Sequence, residues 1–231
     1  MKIKVLFIVL VAVLTLSLTT SSTDSDCGTF FPLKKGTKWV YNEYDKKDKL
    51  TETNTTIVKE VKVLDDKTEF IIHVKSEKPK PKKDEEPFER DLVYFCKNGV
   101  LSFDMSTFVP SEYKDMDITM EQKELEIPAT LKEGQVLNDA EVTVFVNGMQ
   151  MMQVNITNRK VEKFESVTTE AGTFNCAVIT SDYTSKMAFI TITSSSKEWV
   201  SPKAGQVMNE TYDKNGKKIS SRKLVEFLPG N

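Results

Sequence analysis

The sequence predicts an all-β chain, an antiparallel meander forming a strongly curved sheet or partly open barrel. Three observations carry this. Asn-Gly occurs three times, at Asn98-Gly99, Asn147-Gly148 and Asn215-Gly216, and both residues tolerate the positive φ of a type I′ hairpin turn. The stretches between turns are rich in Val, Ile, Thr, Phe and Tyr, which strands favour. Apolar residues recur with a period of two, as in a sheet with one buried face. Phe70, Ile72 and Val74 show it, as do Val142, Val144 and Val146, and Phe174, Cys176 and Val178.

Residues 1–22 read as a secretory signal peptide. Lys2 and Lys4 precede an apolar run from Val5 to Leu18, and small hydroxyl residues follow. The run is shorter than the about 20 apolar residues of a spanning helix. No second apolar run follows the leader, so no membrane span is expected in the mature chain. Residues 23–231 are expected to form a single all-β domain.

Strands are expected at residues 37–45, 49–64, 68–76, 90–97 and 100–104. Others are expected at 140–147, 150–168, 173–184, 187–199, 206–213 and 218–227. Nearly every connection is short, which favours antiparallel neighbours, since parallel ones need long crossovers. Asp65-Asp66 is a further turn candidate. Residues 78–87 (KPKPKKDEEP) form a Pro- and charge-rich loop whose own acids offset its lysines. Residues 105–124, with Pro110-Ser111-Glu112, are expected to hold one short helix. An extended linker and turn is expected around Gly134, a place where two sub-sheets could divide near 125–139. Val40 to Lys46 echoes Val207 to Lys214, each before a lysine-rich turn; shared turn chemistry is favoured over duplication.

The leader takes two lysines with it, so 30 basic residues face 34 acids and the mature charge is −4. That argues against nucleic acid, whose binders carry a basic surplus. Three cysteines in an exported chain imply one pair and one free thiol. Asp24-Ser25-Asp26 separates Cys27 from the apolar run, which disfavours a lipid anchor there. In an up-and-down meander, the start of the first strand and the end of the fourth share one end. The disulfide is therefore expected between Cys27 and Cys96, with Cys176 a buried free thiol. Cys96 with Cys176 is the rival.

Much catalytic chemistry is missing. The single histidine, His73, is the only base a His-dependent triad could use, and its strand position reads as surface. Metal sites needing two histidines are excluded. C-x-x-C, H-E-x-x-H, G-x-S-x-G, P-loop and G-x-G-x-x-G motifs do not occur. Carboxylate pairs remain open, with Trp39, Tyr41, Tyr44, Trp199 and Tyr212 as sugar-stacking candidates. The methionines at 149, 151 and 152 read first as core, second as an adaptable pocket and third as Cu(I) ligands. Asp213 to Gly216 reads as a turn rather than a calcium loop.

The segment from Cys27 to Tyr44 (CGTFFPLKKGTKWVYNEY) resembles the TapB-like group of exported bacterial β-proteins. So do Arg159-Lys160-Val161, Ala171-Gly172-Thr173-Phe174-Asn175-Cys176 and Tyr212-Asp213-Lys214-Asn215-Gly216-Lys217. The similarity runs across most of the mature chain. The resemblance implies a secreted all-β protein of a Gram-negative envelope and brings no catalytic residues with it.

The expected protein is thus a non-enzymatic envelope protein in the periplasm, on the surface or in the medium, with no cofactor. It is expected to hold a lipid or other apolar or amphipathic small molecule in a concave sheet. Strands apolar on both faces support this, as at Ala177 and Ile179 beside Phe174 and Val178, although a covering element would account for them equally well. An adaptor that pairs with an envelope protein is the alternative. A carboxylate-dependent glycan hydrolase ranks third.

Overall fold

The computed structural model describes residues 31–81, 86–98, 100–103, 117–123, 125–128, 130–187 and 189–231. They form twelve strands. These are β1 (Lys38–Asp45), β2 (Leu50–Val63), β3 (Thr68–Glu77), β4 (Phe88–Lys97), β5 (Val100–Phe103) and β6 (Ile118–Lys123). The rest are β7 (Ala140–Val146), β8 (Met149–Thr169), β9 (Gly172–Met187), β10 (Ile190–Ser201), β11 (Gly205–Asp213) and β12 (Lys218–Leu228).

All twelve lie in one antiparallel sheet of order β5-β4-β3-β2-β1-β12-β11-β10-β9-β8-β7-β6. Consecutive strands are neighbours with one exception: β5 and β6 are the two edges. The first and last strands pair at the centre, from Lys38 opposite Leu228 to Asp45 opposite Ser220. The C-terminal tail extends this seam, with Gly230 N–H donating to Thr37 Oγ1 at 3.0 Å. Ladder shifts such as those at Val40/Tyr41, Val58/Glu60 and Trp199/Val200 are bulges, which increase local bend and twist. Ser102 of β5 lines the same small cavity of about 30 Å³ as Gln122 and Lys123 of β6. The edges approach there without pairing, so the sheet is curved but not closed into a barrel.

Strand alternation sorts the apolar residues into two cores. The larger joins Trp39, Val58, Ile72, Leu92, Cys96 and Leu101 with Phe174, Cys176, Val178, Trp199, Val207 and Leu224. Ala177, Ile179 and Val200 point the other way and meet Val161, Ile127, Leu131 and Leu137. The β6–β7 connection is therefore the cover that the second apolar face requires. It is fastened at a bulge in β8, between Thr157 and Lys160, where Asn158 adopts a φ of 53°. Arg159 there is 2% exposed and donates to the carbonyls of Asn138 and Glu126 at 2.6 and 3.0 Å. Gly134 N–H and Leu137 N–H return to the carbonyls of Val161 and Arg159.

Several expectations change. Of the 105–124 segment expected to hold one short helix, Ile118–Lys123 is strand β6; residues 104–116, with Pro110-Ser111-Glu112, and residue 124 lie outside the described residues. Residues 125–139 divide nothing, because β6 and β7 pair with each other across them. Asn147-Gly148 has positive φ at both residues, 50° and 73°, as a type I′ turn requires. At Asn215-Gly216 only Gly216 does, at 74°, because the loop is wound around an aspartate. Asp213 Oδ1 accepts from the N–H groups of Asn215 and Lys217 at 2.9 and 3.0 Å. Asp45 Oδ1 does the same for Lys47 and Lys49. The sequence echo is thus one turn chemistry used twice, and Lys218 Nζ bridges the two loops to Asp48 at 2.8 Å.

Candidate functional site

The central strands place two aromatic side chains on one face. Trp39 and Tyr41 are two residues apart on β1 and both reach the β10–β11 turn. Trp39 Nε1–H donates to Ala204 O at 2.7 Å, and Tyr41 O–H donates to Gln206 O at 2.9 Å. Gly205, at a φ of 74°, lets the backbone turn tightly between those two acceptors. Burial pushes the Tyr41 phenol well above its usual range.

These residues form part of a cavity of about 220 Å³. Its apolar walls are Phe31, Leu33, Trp39, Tyr41, Ile72 and Tyr94, and its polar groups include Glu198, Gln206 and Arg222. The polar groups belong to a longer row. Ser76 Oγ donates to Asn54 Oδ1. Asn54 Nδ2 donates to Glu43 Oε1 at 3.2 Å, and Arg222 Nε donates to the same oxygen. Arg222 Nη1 reaches Gln206 Oε1 at 3.5 Å, the long limit for a hydrogen bond, and Gln206 Nε2 donates to Glu198 Oε1 at 2.5 Å. The six residues sit on β3, β2, β1, β12, β11 and β10, which are adjacent in that order. A hydrogen-bonded row therefore crosses half the sheet. Burial raises the Glu198 carboxyl above the ordinary glutamate range; the Gln206 hydrogen bond and the charges of Arg159 and Arg222 oppose this only in part.

The other candidate residues scatter. His73 Nδ1 lies 2.8 Å from Asp91 Oδ1 and its Nε2 lies 3.7 Å from Glu89. That is a cross-strand charge cluster with Lys59, away from the cavity lining. Burial pushes the Asp91 carboxyl up, but hydrogen bonds from His73 and Lys59 outweigh it and hold the group low. Tyr44 carries Lys223 Nζ 5.5 Å from its ring centre, and Trp199 Nε1–H donates to Glu165 at 2.7 Å. Of the five aromatic candidates, Trp39 and Tyr41 line the cavity. Of the clustered methionines 149, 151 and 152, the first two are exposed rather than core and Met152 is half-buried. Met149 is 65% exposed, and Met151 and Met187 are exposed with it. Phe189 and Ile190, at the tip of the neighbouring hairpin, are exposed too.

Cys96 is fully buried in β4 within the larger core. Cys176, also buried, is a free thiol, so the rival Cys96–Cys176 pairing is not formed. Burial pushes its thiol up to about 11. Cys27 lies outside the described residues.

Sequence reasoning missed Glu198, Gln206 and Arg222. One signal was present. Glu198 keeps phase with Ser196 and Val200 in a strand where those positions are buried, and Arg222 keeps phase with Leu224.

No curated protein matches the chain. Two crystal structures share its fold. One is of a Bacteroides fragilis protein described as exported, with a YmcC-like fold. It is 20% identical with a TM-score of 0.66, over 87% of this chain and 100% of that one. The other is of a Parabacteroides distasonis protein described as a lipoprotein. It is 28% identical with a TM-score of 0.67, over 88% and 100%. The DUF3108-like family matches residues 34–224; the match names that family and not the TapB-like group.

Proposed function

The chain belongs to the DUF3108-like family, and we propose that it is an exported, non-enzymatic envelope protein that holds a small amphipathic molecule in the central cavity. One observation carries this reading. Aromatic and aliphatic walls meet a hydrogen-bonded polar row in a single concavity at the middle of the sheet. Binding sites commonly combine apolar walls with a few placed polar groups. The volume lies below the about 300–1,000 Å³ of a drug-sized site, so the occupant is small or inserts only one end.

Export is supported by the leader-like residues 1–22 and by structural neighbours described as exported and as a lipoprotein. The non-enzymatic reading is supported by the carboxylate content of the cavity. Among its described lining residues Glu198 is the one acid, whereas glycan hydrolysis needs two flanking the bond.

The test is an intact mass of the exported protein under native and then denaturing conditions. A native mass exceeding the denatured one by a discrete increment is expected. Equal masses from freshly exported protein would count against a retained ligand. A second reading, the assembly adaptor, draws on the exposed Met149, Met151, Met187, Phe189 and Ile190 at the β7–β8 and β9–β10 tips. Exposed apolar patches often mark interaction sites. A stoichiometric partner lost on replacing Phe189 and Ile190 with Ser would favour it.

A further inference from the structure

The polar row is directional. Asn54 and Arg222 both donate to Glu43, so the charges of Glu43 and Arg222 are matched in a direct pair. Arg222 passes a further donor to Gln206, and Gln206 passes one to Glu198. There the row ends. An ionised carboxylate has about four acceptor positions, and Gln206 fills one. Arg159, the other nearby cation, directs both terminal nitrogens to the carbonyls of Asn138 and Glu126. The row thus ends at the cavity wall in an acceptor with no direct cationic partner among the described residues.

We propose that the cavity takes a small aliphatic amine, with its ammonium on Glu198 and its hydrocarbon against Phe31, Leu33 and Ile72. This rests on the reading of the cavity as a site for an amphipathic molecule and adds the chemical class. An ammonium group brings three donors and the charge that a poorly solvated carboxylate lacks, and charge-assisted hydrogen bonds are the strong ones. A carboxylate ligand would face Glu198 with like charge. An alcohol would donate one hydrogen bond and leave the charge unmatched. The rings add to the preference. Arg222 already sits with its guanidinium carbon 5.3 Å from the Tyr41 ring centre, and Trp39 and Tyr94 line the same space; cations are drawn to such ring faces. At about 30 Å³ per liquid water, the volume of about 220 Å³ holds roughly seven waters. That suits a short chain rather than a whole lipid.

The charged and titratable groups around Glu198 are Arg159 of β8, Tyr183 of β9, Arg222 of β12 and Tyr41 of β1. Both tyrosines are pushed above their usual value by burial and arginine stays charged. Of this set Glu198 is therefore the group that takes up a proton first on acidification. Protonating it removes the counter-charge for an ammonium.

Hexylammonium, hexanol and hexanoate are matched probes of similar size. Their binding to the full mature chain can be followed by ligand-observed NMR at pH 7.5 and pH 4.5. At pH 7.5 hexylammonium is expected to bind at least about tenfold more tightly than the other two, the scale of one charge-assisted hydrogen bond. Its affinity is expected to fall at pH 4.5 while that of hexanol holds. Glu198→Gln is expected to cut the preference over hexanol to within about twofold. The proposal is overturned if hexanoate or hexanol binds as well as hexylammonium, or if the wild-type preference does not change with pH. It is also overturned if the preference survives in a folded Glu198→Gln variant. Should none of the three bind, the reading of the cavity itself fails.

Discussion

Burial raises the Glu198 carboxyl, so the folded chain holds that proton to higher pH than the unfolded chain does. Between the two values the native state binds more protons, and stability falls as pH rises. The stability is fully present below the unfolded value, about 4.3 for glutamate, and is lost as pH climbs through the folded one. Glutamine carries no charge at any of these values and keeps an acceptor for Gln206. Glu198→Gln is therefore expected to melt higher than the wild type at pH 7.5, with the gap closing below about pH 4.3; thermal melts across pH check it. A gap independent of pH would mean that the carboxylate is not the source. Reading the sequence could not single out Glu198 among 34 acids. Its role depends on what β11 and β12 place beside it, and strand phase alone marks it only as a polar residue facing inward.

At the scale of elements, the hairpins were the most legible part, because turn chemistry is local. Asn147-Gly148 needs nothing beyond its own two residues to favour positive φ. Strand β6 was the least legible. Its sequence, ITMEQK, interrupts the apolar alternation with charge, and charge is what protects an exposed edge from further pairing. The same charges hide the strand, because they break the period of two that marks the others. The segment at 125–139 reads as irregular from sequence, and its task depends on the apolar second face of β9, a distant partner. Leu137 is 5% exposed within that cover, whereas its neighbour Val136 is 77% exposed. Leu137→Ala is expected to cost about 2–4 kcal/mol in denaturant unfolding, and Val136→Ala less than about 0.5 kcal/mol. Equal effects would show that the segment does not act as a lid on the second core.

For the whole molecule, the all-β class followed from local signals, but the pairing of β1 with β12 did not. Lys38 and Glu226, joined by an ion pair at 2.9 Å across that seam, are 188 residues apart. No period or turn carries information over such a distance. The covalent counterpart is the expected Cys27–Cys96 bond, which would close a loop of about 70 residues and add roughly 4 kcal/mol on the chain-entropy model. A non-reducing peptide map should join those two cysteines and leave Cys176 alkylatable only after unfolding. A Cys96–Cys176 peptide would refute it.

The seam also sets an order of events. A chain made from its N-terminus completes β1 early, and β2 can cover one flank at once. The other flank waits for the last strand. Throughout that interval the backbone N–H and C=O groups of Lys38–Asp45 stand open, with Trp39 and Tyr41 beside them. An open strand edge is a template for pairing with another chain. The first strand made is thus the last one protected, and nascent molecules are most prone there to stick to one another.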